Sequence, residues 1–167
     1  TGLRKPFHVR CAEILDAWRF DKAIEAVVQT DRTCSTSFMI GHAEGEIIDI
    51  EATPERCEYL YPEDGLITHA NHLERERRVP SEFERIAPHT LYRAQRLRRH
   101  LRGRTGEIDT DLLTEALGDH FSRPASVCRH PDPLLPEPKR VITVAAIAID
   151  LGARVLYATD GPICESG

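Results

Sequence analysis

The sequence has one methionine, one tryptophan and only 6% aromatic residues among its 167. It does not start with methionine, and Thr1-Gly2-Leu3-Arg4-Lys5-Pro6 has none of the apolar core of a secretory signal. No apolar run approaches the roughly 20 residues needed to cross a bilayer. The longest, residues 141–149, is interrupted by Thr143 and rich in β-branched side chains, which predicts a buried strand. C-x-x-C pairs are missing: the five cysteines (11, 34, 57, 128 and 164) are odd in number and widely spaced. That argues against a disulfide scaffold and fits reduced thiols in a cytoplasmic setting better. A formal net charge of −5 argues against bulk nucleic-acid binding. The sequence contains no G-x-G-x-x-G, Walker loop, G-x-S-x-G or H-E-x-x-H.

What is present is 41% hydrophobic and 29% charged, enough for one folded domain spanning residues 1–167. Residues 6–29 predict two short helices. Val9, Cys11, Ala12, Ile14, Leu15 and Trp18 form the first stripe and Ala23, Ile24, Val27 and Val28 the second, with a break near Trp18 and Phe20. Four strands are then expected, at residues 33–41, 46–53, 55–61 and 65–70. His42-Ala43-Glu44-Gly45 and Pro62-Glu63-Asp64-Gly65 supply turns. In the second strand Ile48 and Ile50 share one face, Asp49 and Glu51 the other. Residues 73–104 carry ten arginines against four glutamates, a local +6. A helix at 90–102 and another capped by Asp109 or Thr110 follow, with Gly103 and Gly106 between them. A proline-rich loop at 131–138 precedes strands at 141–149 and 154–159. Strands set between helix pairs imply an α+β fold of antiparallel sheet with flanking helices.

Three constellations can carry chemistry. In Thr68-His69-Ala70-Asn71-His72, at the end of an expected strand, the Asn71 carboxamide can donate to a developing oxyanion, or can simply cap the turn. His69 and His72 form an H-x-x-H pair with no third ligand at telling spacing; Cys128 and His130 could join them only through tertiary contact, and no metal site is assigned. In Ser126-Val127-Cys128-Arg129-His130, Cys128 can be a nucleophile with His130 as base, or a structural thiol. Arg129 can bind a carboxylate or phosphate, or pair with a surface acid. The arginine-rich segment suits a phosphorylated cofactor, an acidic neighbouring domain, or a solvated helix face.

Taken in order, Ser37-Phe38-Met39-Ile40-Gly41, Ile47-Ile48-Asp49-Ile50-Glu51-Ala52-Thr53-Pro54, His69-Ala70-Asn71-His72-Leu73 and Ser126-Val127-Cys128-Arg129 resemble the acyl-coenzyme A:6-aminopenicillanic acid acyltransferase (isopenicillin N acyltransferase) family. Its bacterial members are often catalogued as cysteine peptidases. The resemblance runs from about Pro6 to Cys164. It implies the C-terminal portion of an αββα sandwich of the N-terminal nucleophile (Ntn) hydrolase type. Such enzymes cut their own precursor to free a nucleophile and then cleave or exchange amide or thioester bonds through an acyl-enzyme. It further implies that Asn71 is the oxyanion donor and Arg129 an active-site arginine orienting substrate or nucleophile. No resident cofactor is implied; acyl-coenzyme A is a candidate acyl donor.

None of the five cysteines sits where the family's nucleophile does, and Thr1-Gly2 matches a loop before a helix. The expectation is therefore a C-terminal fragment or subunit whose nucleophilic Cys comes from an upstream segment. Its expected partners are that segment and a small-molecule acyl substrate, with homo-oligomers forming through bare sheet edges, and neither nucleic acid nor membrane. The competing readings are a non-catalytic binding or assembly module that keeps the fold without the nucleophile, and a metal-binding protein using His69 and His72.

Overall fold

A computed structural model describes residues 4–165, and Thr1, a residue type that can serve as an Ntn nucleophile but that matches a loop before a helix, lies outside the described residues. The chain is α+β, with helices and antiparallel strands in two compact units. One unit contains the residues up to Glu63 together with Leu73–Ser81; the other contains Asp64–His72 and the residues from Glu82 onward. No helix is long and apolar enough to cross a membrane.

In the first unit, helices α1 (Phe7–Asp16) and α2 (Phe20–Val28) break where the sequence predicts. They precede strands β1 (Thr36–Gly41), β2 (Ile47–Ala52) and β3 (Cys57–Leu60), which pair antiparallel in the order β1-β2-β3. The β1–β2 turn closes through Gly45, whose φ of 93° lies in the left-handed region that glycine enters without strain. The register sets Phe38 opposite Ile50 and Ile40 opposite Ile48. These side chains close the core with Ala23, Val27 and Ala52. Val27 and Ile50 are completely buried, each contributing about 1.5–3 kcal/mol of apolar transfer energy.

The stripe on α1 is not the expected one. Val9, Leu15 and Trp18 face solvent, Trp18 at 98% exposure, while Phe7, Cys11, Ile14 and Ala17 pack on the core. Arg10 is buried instead. Its guanidinium donates to Ala26 O at 3.2 Å, Thr30 Oγ1 at 3.1 Å and Asp31 O at 2.8 Å, placing a cation at the carbonyl end of α2.

The polar face of β2 is also buried. Asp49 and Glu51 have no exposed surface, and Ser37 donates to Asp49. The Glu51 carboxylate accepts the backbone N–H groups of Glu74, Arg75 and Glu76, the last two at 2.8 Å. An irregular segment without paired strands is thereby fastened across the sheet. Glu76, itself buried, pairs with Arg78, and Arg78 also reaches Glu58.

The second unit contains α3 (Glu82–Ile86), α4 (Thr90–Leu101), α5 (Thr110–Leu117) and strands β4 (Ile147–Asp150) and β5 (Val155–Ala158). Asp109 caps α5 by accepting from Leu112 N at 2.9 Å. Leu101, Leu112 and Ala116 form its core with Leu66 and Leu97 packed against them. Residues 65–70 are not the expected strand: their continuation, Asn71, gives its N–H to the side chain of Thr90 at 2.8 Å rather than to a sheet. Nor is 141–149 a buried strand. Only Ile147–Asp150 pairs, solely with β5, and Val144, Ile147 and Leu156 remain well exposed because a two-stranded hairpin has little to pack against.

Candidate functional site

The first turn of α4 organises the Asn71 segment. Thr90, fully buried, accepts from Asn71 N, and its Oγ1 lies 3.1 Å from His72 Nδ1. One turn further along the same helical face, Arg93 donates to Asn71 Oδ1. A guanidinium can only donate, so the atom it grips is the amide oxygen. The Asn71 NH₂ then points away from Arg93, on an exposed residue.

Arg129 is held by its backbone on both sides: its N–H reaches Thr143 Oγ1 at 2.8 Å, and its carbonyl accepts from Thr143 N at 3.0 Å. Its Nε is buried without a hydrogen-bond partner, as are Arg93 Nε and His89 Nδ1. These three groups interact electrostatically. Burial, then Arg129 and Arg93, push His89 down to about 4, so its imidazole is neutral at physiological pH. Burial and Arg129 lower Arg93 as well. The two buried guanidinium Nε–H groups are donors that an anion can satisfy. An open cleft of about 480 Å³ is lined by His89, Arg129, Phe83, Pro124 and Val141. Another, of about 270 Å³, is lined by His69, Ala70, Arg93, Val127 and Thr143. The two predicted residues are thus linked through Arg93, which holds Asn71 and lies in the field of Arg129. The sequence reading missed Arg93 and His89. Their i, i+4 spacing at the head of α4 is the only signal, and it is drowned in an arginine-rich helix.

Over residues 6–159 the sequence matches the family described as acyl-coenzyme A:6-aminopenicillanic acid acyl-transferase. The chain belongs to that family. No curated protein sequence matches it. In this acyltransferase family member Cys128 is fully buried, and its Sγ lies 3.7 Å from His130 Nε2. Burial pushes its thiol up, the Cys164 side chain in the same direction and the Cys164 backbone against it. A protonated thiol with no exposed surface is poorly placed to attack substrate. His69 and His72 stack at 6.4 Å between ring centroids, and among the described residues they belong to no group of three or more convergent metal ligands.

Asp119, at the base of the loop that carries Arg129, is fixed by Arg96, by His100 Nε2 at 2.9 Å and by Phe121 N at 3.0 Å. Burial alone would raise its carboxyl, but these donors prevail and hold it at about 2, below its ordinary 3.8. A depressed folded-state pKa contributes stability above the unfolded value that is lost as pH falls through the folded one. The family member is therefore expected to lose stability between pH 4 and 2, and Asp119→Asn to flatten that part of the curve. Chemical denaturation at stepped pH checks this; an unchanged acid limb in the variant would contradict it.

Proposed function

We propose that this chain is part of an Ntn acyltransferase or amidohydrolase that acts on amide or acyl-thioester bonds through an acyl-enzyme. The nucleophilic cysteine is supplied by an upstream segment of the same enzyme, absent from this chain. Membership of the acyltransferase family supports the reaction class. The observation that carries the assignment of roles is the grip of Arg93 on Asn71 Oδ1, which leaves the carboxamide NH₂ as an outward donor.

In this reading the carbonyl of the acyl donor is attacked by the upstream thiolate, and its oxygen takes up negative charge. The Asn71 NH₂ donates to that oxygen, more strongly in the transition state than in the ground state. Arg129, with Arg93 and His89 beside it, binds a carboxylate or phosphate of the substrate and fixes its position. Acyl-coenzyme A is a candidate donor for that reason. The exposed apolar hairpin of β4 and β5 supports a partner segment that adds strands to it, completing an αββα sandwich.

The test is kinetic. In the complete enzyme, Arg129→Lys is expected to raise KM for an anionic acyl donor at least about 10-fold, since lysine cannot reproduce a planar two-pronged contact. An uncharged donor should be far less affected. Equal effects on both donors, or none on either, would remove Arg129 from substrate binding.

A further inference from the structure

We infer that His120, Cys128, His130 and Cys164 form a structural site for a divalent, thiolate-preferring metal ion, with zinc the best fit. The site stands apart from the acyl-transfer reading and does not depend on it. All four ligand atoms lie within 4.8 Å of one another. The two imidazole Nε2 atoms are 2.9 Å apart and the two Sγ atoms 3.5 Å apart. His130 Nε2 lies 3.7 Å from Cys128 Sγ and 3.4 Å from Cys164 Sγ. A tetrahedron with metal–nitrogen bonds of about 2.0–2.1 Å and metal–sulfur bonds of about 2.3 Å has edges of about 3.3 Å for N to N, 3.6 Å for N to S and 3.8 Å for S to S. These four edges match to within a few tenths of an ångström, and the two from His120 Nε2 to the sulfurs are no longer than 4.8 Å, so a metal would enter mainly by drawing His120 inward.

Two local segments deliver the ligands. Residues 119–130 fold back on themselves: Cys128 N donates to Asp119 O at 3.1 Å, Arg123 N to His120 O at 3.1 Å, and His130 N to Pro124 O at 3.3 Å. Cys164 arrives on a short 3-10 helix, Ile163–Glu165, where Ile163 is buried. Cys128 and His130 are buried, whereas His120 and Cys164 are exposed, giving an ion a way in. Glu165 Oε1 lies 3.6 Å from His130 Nδ1, on the ring edge opposite the cluster. A carboxylate behind a ligating histidine orients the ring and strengthens it as a ligand. Binding would release one proton from each thiol to solvent, while both imidazoles bind neutral through Nε2. Two thiolates neutralise a divalent ion, which suits a half-buried site, and mixed sulfur and nitrogen donors in a tetrahedron favour zinc over hard cations. Four protein ligands leave no open position, so the role is structural. Arg129 lies between two of them, so the ion would also fix its backbone; that consequence alone rests on the acyl-transfer reading.

The test uses the full chain, with zinc alone as the probe. Chain purified under reducing conditions and dialysed against zinc is expected to hold one ion per molecule by elemental analysis. Cobalt substituted for zinc is expected to give thiolate-to-cobalt charge transfer and the intense d–d bands of a four-coordinate site. The exposed-ligand variants Cys164→Ser and His120→Ala should weaken zinc binding at least about 100-fold against a competing chelator. Cys34→Ser, an exposed cysteine outside the cluster, should bind like the parent. Because Cys128→Ser puts a hydroxyl in a fully buried position, the two exposed variants carry the comparison. No zinc in the reduced parent chain, unchanged affinity in Cys164→Ser and His120→Ala, or cobalt spectra without thiolate charge transfer would each overturn the site. So would a Cys128–Cys164 disulfide that forms in equimolar zinc as readily as without it.

Discussion

Replacing Asn71 with alanine in the complete enzyme is expected to lower kcat by about 100- to 1,000-fold with little change in KM, the usual cost of one oxyanion donor, about 3–4 kcal/mol. The asymmetry follows from when the charge appears: the carbonyl oxygen of a bound acyl donor needs little from the carboxamide, and the tetrahedral intermediate needs much. Asn71→Asp is expected to be at least as damaging, because a carboxylate gripped by Arg93 offers no donor on its other oxygen. A turn-residue role predicts another pattern: both variants would melt earlier and keep their kcat. Steady-state kinetics beside a thermal melt separate the two, and near-normal kcat in Asn71→Ala would take this residue out of the oxyanion site.

The largest effect on folding is expected at Glu51. Its carboxylate is the shared acceptor for three backbone N–H groups and is wholly buried. Glu51→Ala leaves those donors without it, and should cost about 3–5 kcal/mol in a urea unfolding experiment. Glu51→Gln keeps the shape and one acceptor oxygen but turns an NH₂ towards N–H groups, so an intermediate loss is expected. Glu25→Gln is the contrast: it breaks the Lys22–Glu25 pair on the surface of α2 and should change stability by less than about 1 kcal/mol. A loss at Glu51→Ala no larger than at Glu25→Gln would show that the 73–81 segment is not held by this carboxylate.

Much of the fold is legible in the sequence where periodicity is local. α2, α4 and α5 follow from apolar spacing and, for α5, the Asp109 cap; β2 follows from alternation beside the His42–Gly45 turn, and β1 from the apolar run that precedes it. Reading fails where burial is decided by distant chain. Asp49 and Glu51 have the pattern of a solvated face, yet they are buried, and Glu51 is bound by a segment that has no periodicity of its own. Arg10 looks like a surface charge because nothing local shows the α2 carbonyls it will meet. Residues 65–70 and 141–146 have strand-like composition, but composition does not supply a neighbouring strand, whereas 147–149 finds one in β5.

The candidate site divides in the same way. Asn71 and Arg129 stand out through family resemblance, whereas Arg93 hides in a basic helix whose default reading is solvated. Cys128 and His130 were visible as neighbours, and their better partners were not: His120 and Cys164 join them only in three dimensions. The H-x-x-H pair at His69 and His72 is visible in the sequence because its spacing is local, yet among the described residues it joins no group of three or more ligands.

Locating the acyl group tests the central claim most directly. The complete enzyme should be mixed with an acyl-thioester substrate, quenched within one turnover, and examined by intact mass and peptide mapping. A single acyl adduct is expected on a cysteine of the upstream segment, formed far more slowly in Asn71→Ala. An acyl adduct on Thr1, or on any of the five cysteines of this chain, would contradict it.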